Sequence, residues 1–304
     1  MSGGLAAFVA RELAAPCPPE ARRFAQDLSQ QAGAEAALFY GSVLRTGDLD
    51  GVLDFYLLTP GPPRGGWIAR RLWPDVSYQE AEVGGRTLRA KVASMPTATF
   101  ARAAAGDFLD TTIWTRFVQP SALVFAAQDR AADAVRAAVC AASVTAARYA
   151  AALGPAEGTA AEYWLALFRR TYAAELRVET PGREREIIGF DPARYQALLA
   201  LAWEAGGIPF AAGDGRLRPE LSPTERARLT RAWGRRQASG KPLNALRLVK
   251  AAATFDGAAR YAAWKIERHT GVKVPLSPLK ERYPLLAAPD ALWRLWRARR
   301  SGPR

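Results

Sequence analysis

The residues best suited to chemistry lie between Ala36 and Thr59, where two apolar, β-prone runs flank a Gly41-Ser42 corner and a loop bearing Asp48 and Asp50. A glycine at a strand end lets backbone N–H groups approach a phosphate closely, and the hydroxyl that follows adds a donor. Asp54, inside the second run Val52–Leu58, can hold a divalent cation against the same phosphates. Further along, Lys91 falls in a run that reads as a strand, where lysine has little packing value. A point cation facing a triphosphate is the other use for it. Together these residue types describe metal-assisted phosphate chemistry. A hairpin with polar turns is the plainer account of the same stretch.

The layout of Gly41-Ser42 and Asp54 resembles that of the nucleotidyltransferase superfamily, which implies two metal-holding carboxylates at i and i+2 on one strand face, about 6.6 Å apart at ~3.3 Å per residue. Val52 and Tyr56 occupy those positions around Asp54, so a second ligand must come from elsewhere. Asp48, Asp50, Glu80 and Glu82 are the candidates. Asp50 is preferred, because it shares the parity of Asp54 and Gly51 offers a bend between them. With one histidine, His269, in the whole chain, histidine triads and histidine-rich metal sites are excluded. Cys17 and Cys140 are too few and too far apart for a zinc site or a disulfide framework, which fits a reducing compartment.

The elements that must position these groups follow from pattern and punctuation. Helices are expected over Leu5–Leu13 and from Pro19 to about Gln31, ended by Gly33. A strand then enters the Gly41-Ser42 corner, residues 43–47 make one turn of helix, and the second strand returns the chain. After a Pro-Gly-rich loop, 68–73 reads as a helix, and Asp75–Val83 and Thr87–Ser94 form a hairpin about Gly84-Gly85. One or two helices over 100–116, a strand at 123–125 and a long alanine-rich helix over 128–153 follow.

Beyond Gly154-Pro155 the pattern is mainly helical. Runs at 160–178, after Asp191-Pro192, at 224–233 and at 243–269 read as helices, with 206–218 as a basic loop. Trp164, Leu167, Phe168 and Tyr172 fall at helical spacing and are expected in the core. The expected fold is α+β: a nucleotidyltransferase-like mixed sheet with flanking helices over 1–153, then a mainly helical second domain over 154–288. A cationic amphipathic helix is expected over 289–304, with Trp293 and Trp296 on one side and Arg294 and Arg297 around the other. Such a helix lies in a bilayer interface, tryptophan at the headgroups and arginine on anionic lipid.

Tyr40-Gly41-Ser42, a spacer and Leu53-Asp54-Phe55 together resemble the signature of the mitochondrial-type CDP-diacylglycerol synthases. These are the translocator-maintenance family of phosphatidate cytidylyltransferases, within the nucleotidyltransferase superfamily. Four further anchors resemble that family in the same order: Val76-Ser77-Tyr78; Gly85-Arg86 with Arg89-Ala90-Lys91-Val92; Trp114 with Phe117-Val118-Gln119-Pro120; and Leu176-Arg177-Val178. The likeness spans about residues 36 to 180. Val43 departs from the family's glycine, and Lys91-Val92-Ala93 from its Lys-Tyr-Gly.

The resemblance implies Mg²⁺-dependent transfer of a cytidylyl group from CTP to phosphatidic acid. Asp54 and Lys91 would be catalytic, Tyr40, Gly41, Ser42, Lys91 and Arg177 would hold the nucleotide, and Asp54 with Asp50 would hold the metal. The implied setting is cytoplasmic, peripheral on the anionic inner face of a bacterial membrane. A nucleotidyltransferase acting on RNA or a small soluble acceptor, and a non-catalytic nucleic-acid binder, are the other readings. The second has no use for the Gly-Ser, Asp54 and Lys91 set, and nucleic acid is not an expected partner.

Composition bounds these readings. The 304 residues are 49% hydrophobic and 23% charged, enough for a substantial core and too apolar for disorder. A net charge of +13, carried mostly by arginine, favours polyanionic partners, although an Ala/Arg/Gly/Pro bias also follows from a GC-rich genome. No apolar run reaches the length of a bilayer span, and the N-terminus lacks the basic and apolar regions of a secretory signal.

Overall fold

Prolines set the first boundary. α1 (Gly3–Leu13) ends ahead of three prolines, and Pro19 then takes the first turn of α2 (Pro19–Ala32), where its missing N–H leaves no bond unmade. Gly33 closes α2 in the left-handed conformation and delivers the chain to β1 (Ala36–Tyr40). The computed structural model describes residues 3–62, 72–174 and 182–254, with a few positions between 257 and 275. Residues 68–71 of the helix expected at 68–73 fall outside these residues, and 72–73 are not helical; Arg177, His269 and the whole 289–304 segment also lie outside.

The elements that follow are α3 (Ser42–Thr46), β2 (Val52–Thr59), β3 (Asp75–Val83) and β4 (Arg86–Pro96). Gly84 and Gly85 both adopt positive φ between β3 and β4, as a two-residue hairpin turn requires. Then come α4 (Thr97–Ala104), α5 (Thr112–Phe117), β5 (Ser121–Ala126) and the long α6 (Asp129–Leu153). The sheet runs β3-β4-β2-β1-β5, with β2 and β4 parallel and every other pair antiparallel. The fold is α+β, a five-stranded mixed sheet flanked by helices and followed by further helices.

The alternation of each strand divides the sheet into two faces. Ala37, Phe39, Leu53, Phe55, Leu57, Ala90 and Val92 form one face, packed with Phe24, Ala25 and Leu28 of α2. Leu38, Tyr56, Leu58, Ala93 and Met95 form the other, in one core with α1, α4, α5 and α6. α6 is the hub of the helical layer. Its buried alanines let α1, α4, α5, α7 (Ala160–Ala174), α9 (Pro192–Ala205) and α10 (Pro223–Thr254) all lie against it. Trp164, Leu167 and Phe168 of α7 are fully buried, as their spacing predicts.

Three stretches differ from the sequence reading. α8 (Arg183–Phe190) is a helix where only a turn was expected. The basic loop at 206–218 is a hairpin of β6 (Phe210–Gly213) and β7 (Arg216–Pro219), turned by Asp214 and Gly215, both at positive φ. The two helices expected at 224–233 and 243–269 are continuous through Pro242 as far as Thr254. Gly240 lets α10 approach α7, since a Cβ there would meet the Ala174 carbonyl. Among the described residues no helix is long and apolar enough to cross a membrane.

Candidate functional site

Strand register brings three of the sequence-predicted residues into one row. Tyr40 at the end of β1 stands opposite Asp54 on β2, and Asp54 stands opposite Lys91 on β4. Tyr78 on β3 extends the row beyond Lys91. Residues directly opposite project from the same face, so tyrosine, carboxylate and ammonium stand side by side on neighbouring strands about 4.8 Å apart. The parallel pairing of β2 with β4 achieves this, although 37 positions of sequence separate Asp54 from Lys91.

The corner after β1 is fitted to this row. Gly41 has φ 92°, open to glycine and strained for other residues, and a Cβ at that position would lie 2.5 Å from Asp54 Oδ2. The backbone at Gly41 therefore lies directly against the carboxylate. Val43 seals α3 onto the apolar face of the sheet, and a Cβ at Gly51 would collide with it.

Above the row opens a cavity of about 220 Å³ lined by Gly41, Ser42, Asp54, Lys91, Arg116 and Gln119, with further walls described below. Arg45 reaches it from α3, Arg116 from α5 and Arg183 from α8. Among the described residues, four cationic side chains against one carboxylate give a strong preference for anions. Tyr40, Tyr172 and Ile187 supply the apolar wall.

Arg116 is held firmly. Its Nη1 donates to Tyr56 Oη at 3.0 Å, and the guanidinium lies over the Tyr40 ring, 5.2 Å from the centroid. α5, which carries Arg116, is fixed at both ends. At its start, Asp110 accepts from the Thr112 N–H at 2.9 Å and is ion-paired with Arg247 of α10. At its end, Arg194 of α9, itself ion-paired with Glu12, donates to the Val118 carbonyl at 3.0 Å.

Burial pushes the Asp54 carboxyl above the usual carboxylate range, while Lys91, then Arg116, then Arg45 pull it back. Burial likewise lowers the pKa of Arg45, and the like charge of Arg183 lowers it further. These opposing effects describe a carboxylate placed among cations at the bottom of the site, with a demand for negative charge above it.

The other predicted site residues are placed differently. Asp50 is exposed in the α3–β2 loop, 3.8 Å from Arg86, and does not line the cavity. Its backbone N–H is bonded to Asp48 Oδ1 at 3.0 Å. Glu80 lies beside Arg89 and Tyr78 on β3, and Glu82 beside Thr87. Among the described residues no three His, Cys, Asp or Glu side chains gather to hold a metal. Arg177, Trp293, Arg294, Trp296 and Arg297 lie outside the described residues.

Arg45, Arg116, Arg183, Gln119 and Tyr172 complete the cavity without having been assigned to it from sequence. Arg45 had a readable signal, three residues past Ser42 in a one-turn helix. Arg183 had none, because its helix was not expected. No protein-family model matches the chain, and no curated protein matches it.

Proposed function

We propose that this cavity is the active site of a nucleotidyltransferase that moves a cytidylyl group from CTP to phosphatidic acid, giving CDP-diacylglycerol and pyrophosphate. One observation carries the reading: Asp54 is flanked in register by Tyr40 and Lys91, with the Gly41 backbone packed on its carboxylate. A phosphate-binding corner, a metal-competent carboxylate and a point cation then meet within one anion-seeking cavity. The choice of CTP and phosphatidic acid rests on the resemblance of the Gly41-Ser42, Asp54 and Lys91 anchors to the CDP-diacylglycerol synthases.

The chemistry needs no histidine. A phosphate monoester is already anionic at neutral pH, so its oxygen attacks the α-phosphorus without a general base. The bond from acceptor oxygen to α-phosphorus forms, the bond from α-phosphorus to the bridging oxygen breaks, and pyrophosphate leaves with the electron pair. The remaining task is bringing two polyanions together, and Arg45, Lys91, Arg116 and Arg183 are placed for it. The Gly41 backbone and the Ser42 hydroxyl cradle the β- and γ-phosphates, and Lys91 offsets charge on the triphosphate.

Mg²⁺ fits this donor set only together with its substrate. Among the described residues Asp54 is the one carboxylate in the cavity lining, and Mg²⁺ characteristically takes one or two carboxylates with substrate phosphates and water making up its octahedron. Asp54 would hold the ion, which when bound supplies charge neutralisation on the phosphate oxygens.

Full-length protein incubated with α-labelled CTP, Mg²⁺ and phosphatidic acid in detergent is expected to yield a lipid-extractable labelled product with release of pyrophosphate. Label that stays aqueous while a soluble phosphate acceptor is consumed points to the soluble-acceptor nucleotidyltransferase. Failure to bind any nucleoside triphosphate sinks the reading.

A further inference from the structure

Among the described residues the cavity lining contains one amide side chain, Gln119, and its two ends are not interchangeable. Its Nε2 donates to the Thr115 carbonyl at 3.1 Å. A carbonyl can only accept, so the NH₂ end of the amide must face it and the orientation is dictated by chemistry. That leaves Oε1 for a ligand. No hydrogen bond from a described residue reaches this atom, and it is not among the buried polar atoms lacking a partner, so it is accessible. Gln119 thus offers a fixed acceptor at the wall of a cavity whose charged side chains are nearly all donors.

An acceptor in that place is wrong for phosphate. Phosphate oxygens accept only, and they are served by Arg45, Lys91, Arg116 and Arg183. Oε1 requires an N–H or O–H on the part of the ligand that is not phosphate. Gln119 lies two residues before Ser121, which pairs with Tyr40 on β5, whereas Lys91 lies on β4, on the far side of Asp54. Between β4 and β5 the sheet spans three strand spacings, about 14 Å at ~4.8 Å each. The amide therefore stands toward the β5 side of the row, three residues past Arg116. The amide is also pre-organised, because Arg194 holds the Val118 carbonyl immediately before it and Asp110 with Arg247 holds the start of α5, which leads into it.

We propose that Gln119 Oε1 accepts a hydrogen bond from the exocyclic 4-amino group of the nucleotide's base, so that the site takes cytosine in preference to uracil. The 4-amino group is the one N–H donor that the cytosine ring of CTP presents. Uracil presents a carbonyl oxygen at that position, and two acceptors then face one another with one left unpaired. The inference rests on the nucleotidyltransferase reading, and the experiment separates the two.

Binding of CTP and UTP to the full-length chain is measured by calorimetry with Mg²⁺, for the wild type and for Gln119→Ala and Gln119→Lys, each checked for an unchanged melting temperature. The wild type is expected to favour CTP by roughly tenfold or more, the scale of one well-placed base contact. Gln119→Ala is expected to bring the two affinities together. Gln119→Lys, which puts a donor where the acceptor stood and can still satisfy the Thr115 carbonyl, is expected to favour UTP. A residue with a merely structural role would change both affinities alike and leave their ratio intact. Equal binding of CTP and UTP by the wild type, or an unchanged ratio in Gln119→Ala, overturns the proposal while leaving nucleotidyl transfer standing. If neither nucleotide binds, the nucleotidyltransferase reading falls and this inference falls with it.

Discussion

Asp54 and Phe55 are adjacent in β2, yet they belong to opposite faces of the sheet and to different kinds of environment. Phe55 is fully buried, 5.2 Å from Phe39 and 6.2 Å edge-on to Phe24, on the face that α2 covers. Asp54 faces a polar cavity, with Lys91 and Tyr40 for neighbours and a glycine backbone against its carboxylate. One face shows how the sheet is stabilised. The other shows a place where the same strands hold a charge that burial disfavours. A site of that kind is maintained by the apolar face behind it, and so function and stability should separate cleanly between two consecutive residues.

The largest effects test that separation directly. Asp54→Asn is expected to lower turnover by about a thousandfold, the consequence of losing roughly 4 kcal/mol of transition-state charge stabilisation, with the fold retained. Phe55→Ala is expected to lower unfolding free energy by about 3–5 kcal/mol, as removal of a buried phenyl ring does. Its residual folded fraction should turn over at a rate near wild type. Steady-state assays paired with urea denaturation decide the matter. Activity in Asp54→Asn above about a tenth of wild type at saturating Mg²⁺ would falsify the site assignment.

Gly41→Ala sharpens the comparison, because it forces a methyl group between the corner and the carboxylate. The left-handed conformation and the 2.5 Å approach to Asp54 Oδ2 both oppose the substitution. Strain of this sort costs about 1–3 kcal/mol, so the melting temperature should fall by several degrees. The displaced carboxylate should also weaken nucleotide binding. Gly33→Ala supplies the control, since Gly33 is left-handed too but has nothing within 4 Å of the position a Cβ would take. It is expected to lose stability without losing nucleotide affinity.

Much of this arrangement was legible in sequence, one piece at a time. Gly41-Ser42, Asp54 and Lys91 declared their chemistry by residue type, and the Gly84-Gly85 turn marked the β3–β4 hairpin. Sequence could not show the parallel register that sets Lys91 beside Asp54, because β3 lies between β2 and β4 along the chain. It could not distinguish the three cavity arginines from the other arginines of so basic a chain. Asp50 was preferred by strand parity, but the turn holds it out toward Arg86, 3.8 Å away. Asp214-Gly215 carried the usual hairpin signal, and it was obscured by strands of four residues with alternation too short to read. The helices expected at 224–233 and 243–269 run together through Pro242, where packing of α10 on α7 overrides local propensity.

The smallest effect concerns what ionised Asp54 costs the fold. Its carboxyl is raised above the ordinary 3.8, by burial first, against the pull of Lys91, Arg116 and Arg45. Between 3.8 and the folded-state value, the native protein keeps a proton that the unfolded chain has released. The unfolded state then binds fewer protons, so stability falls as pH rises through that window, and the loss is complete once the folded carboxyl has ionised. Asparagine at position 54 has no proton to lose. Asp54→Asn should therefore be more stable than wild type at neutral pH, and the difference should shrink to nothing as the pH is brought below 3.8. Urea denaturation of both proteins across that range measures the difference directly. The opposite outcome, an asparagine variant less stable at neutral pH, would mean that the three surrounding cations outweigh burial. Asp54 would then be a stabilising ion-pair partner like Asp110, and the contrast between the two faces would lose its energetic basis.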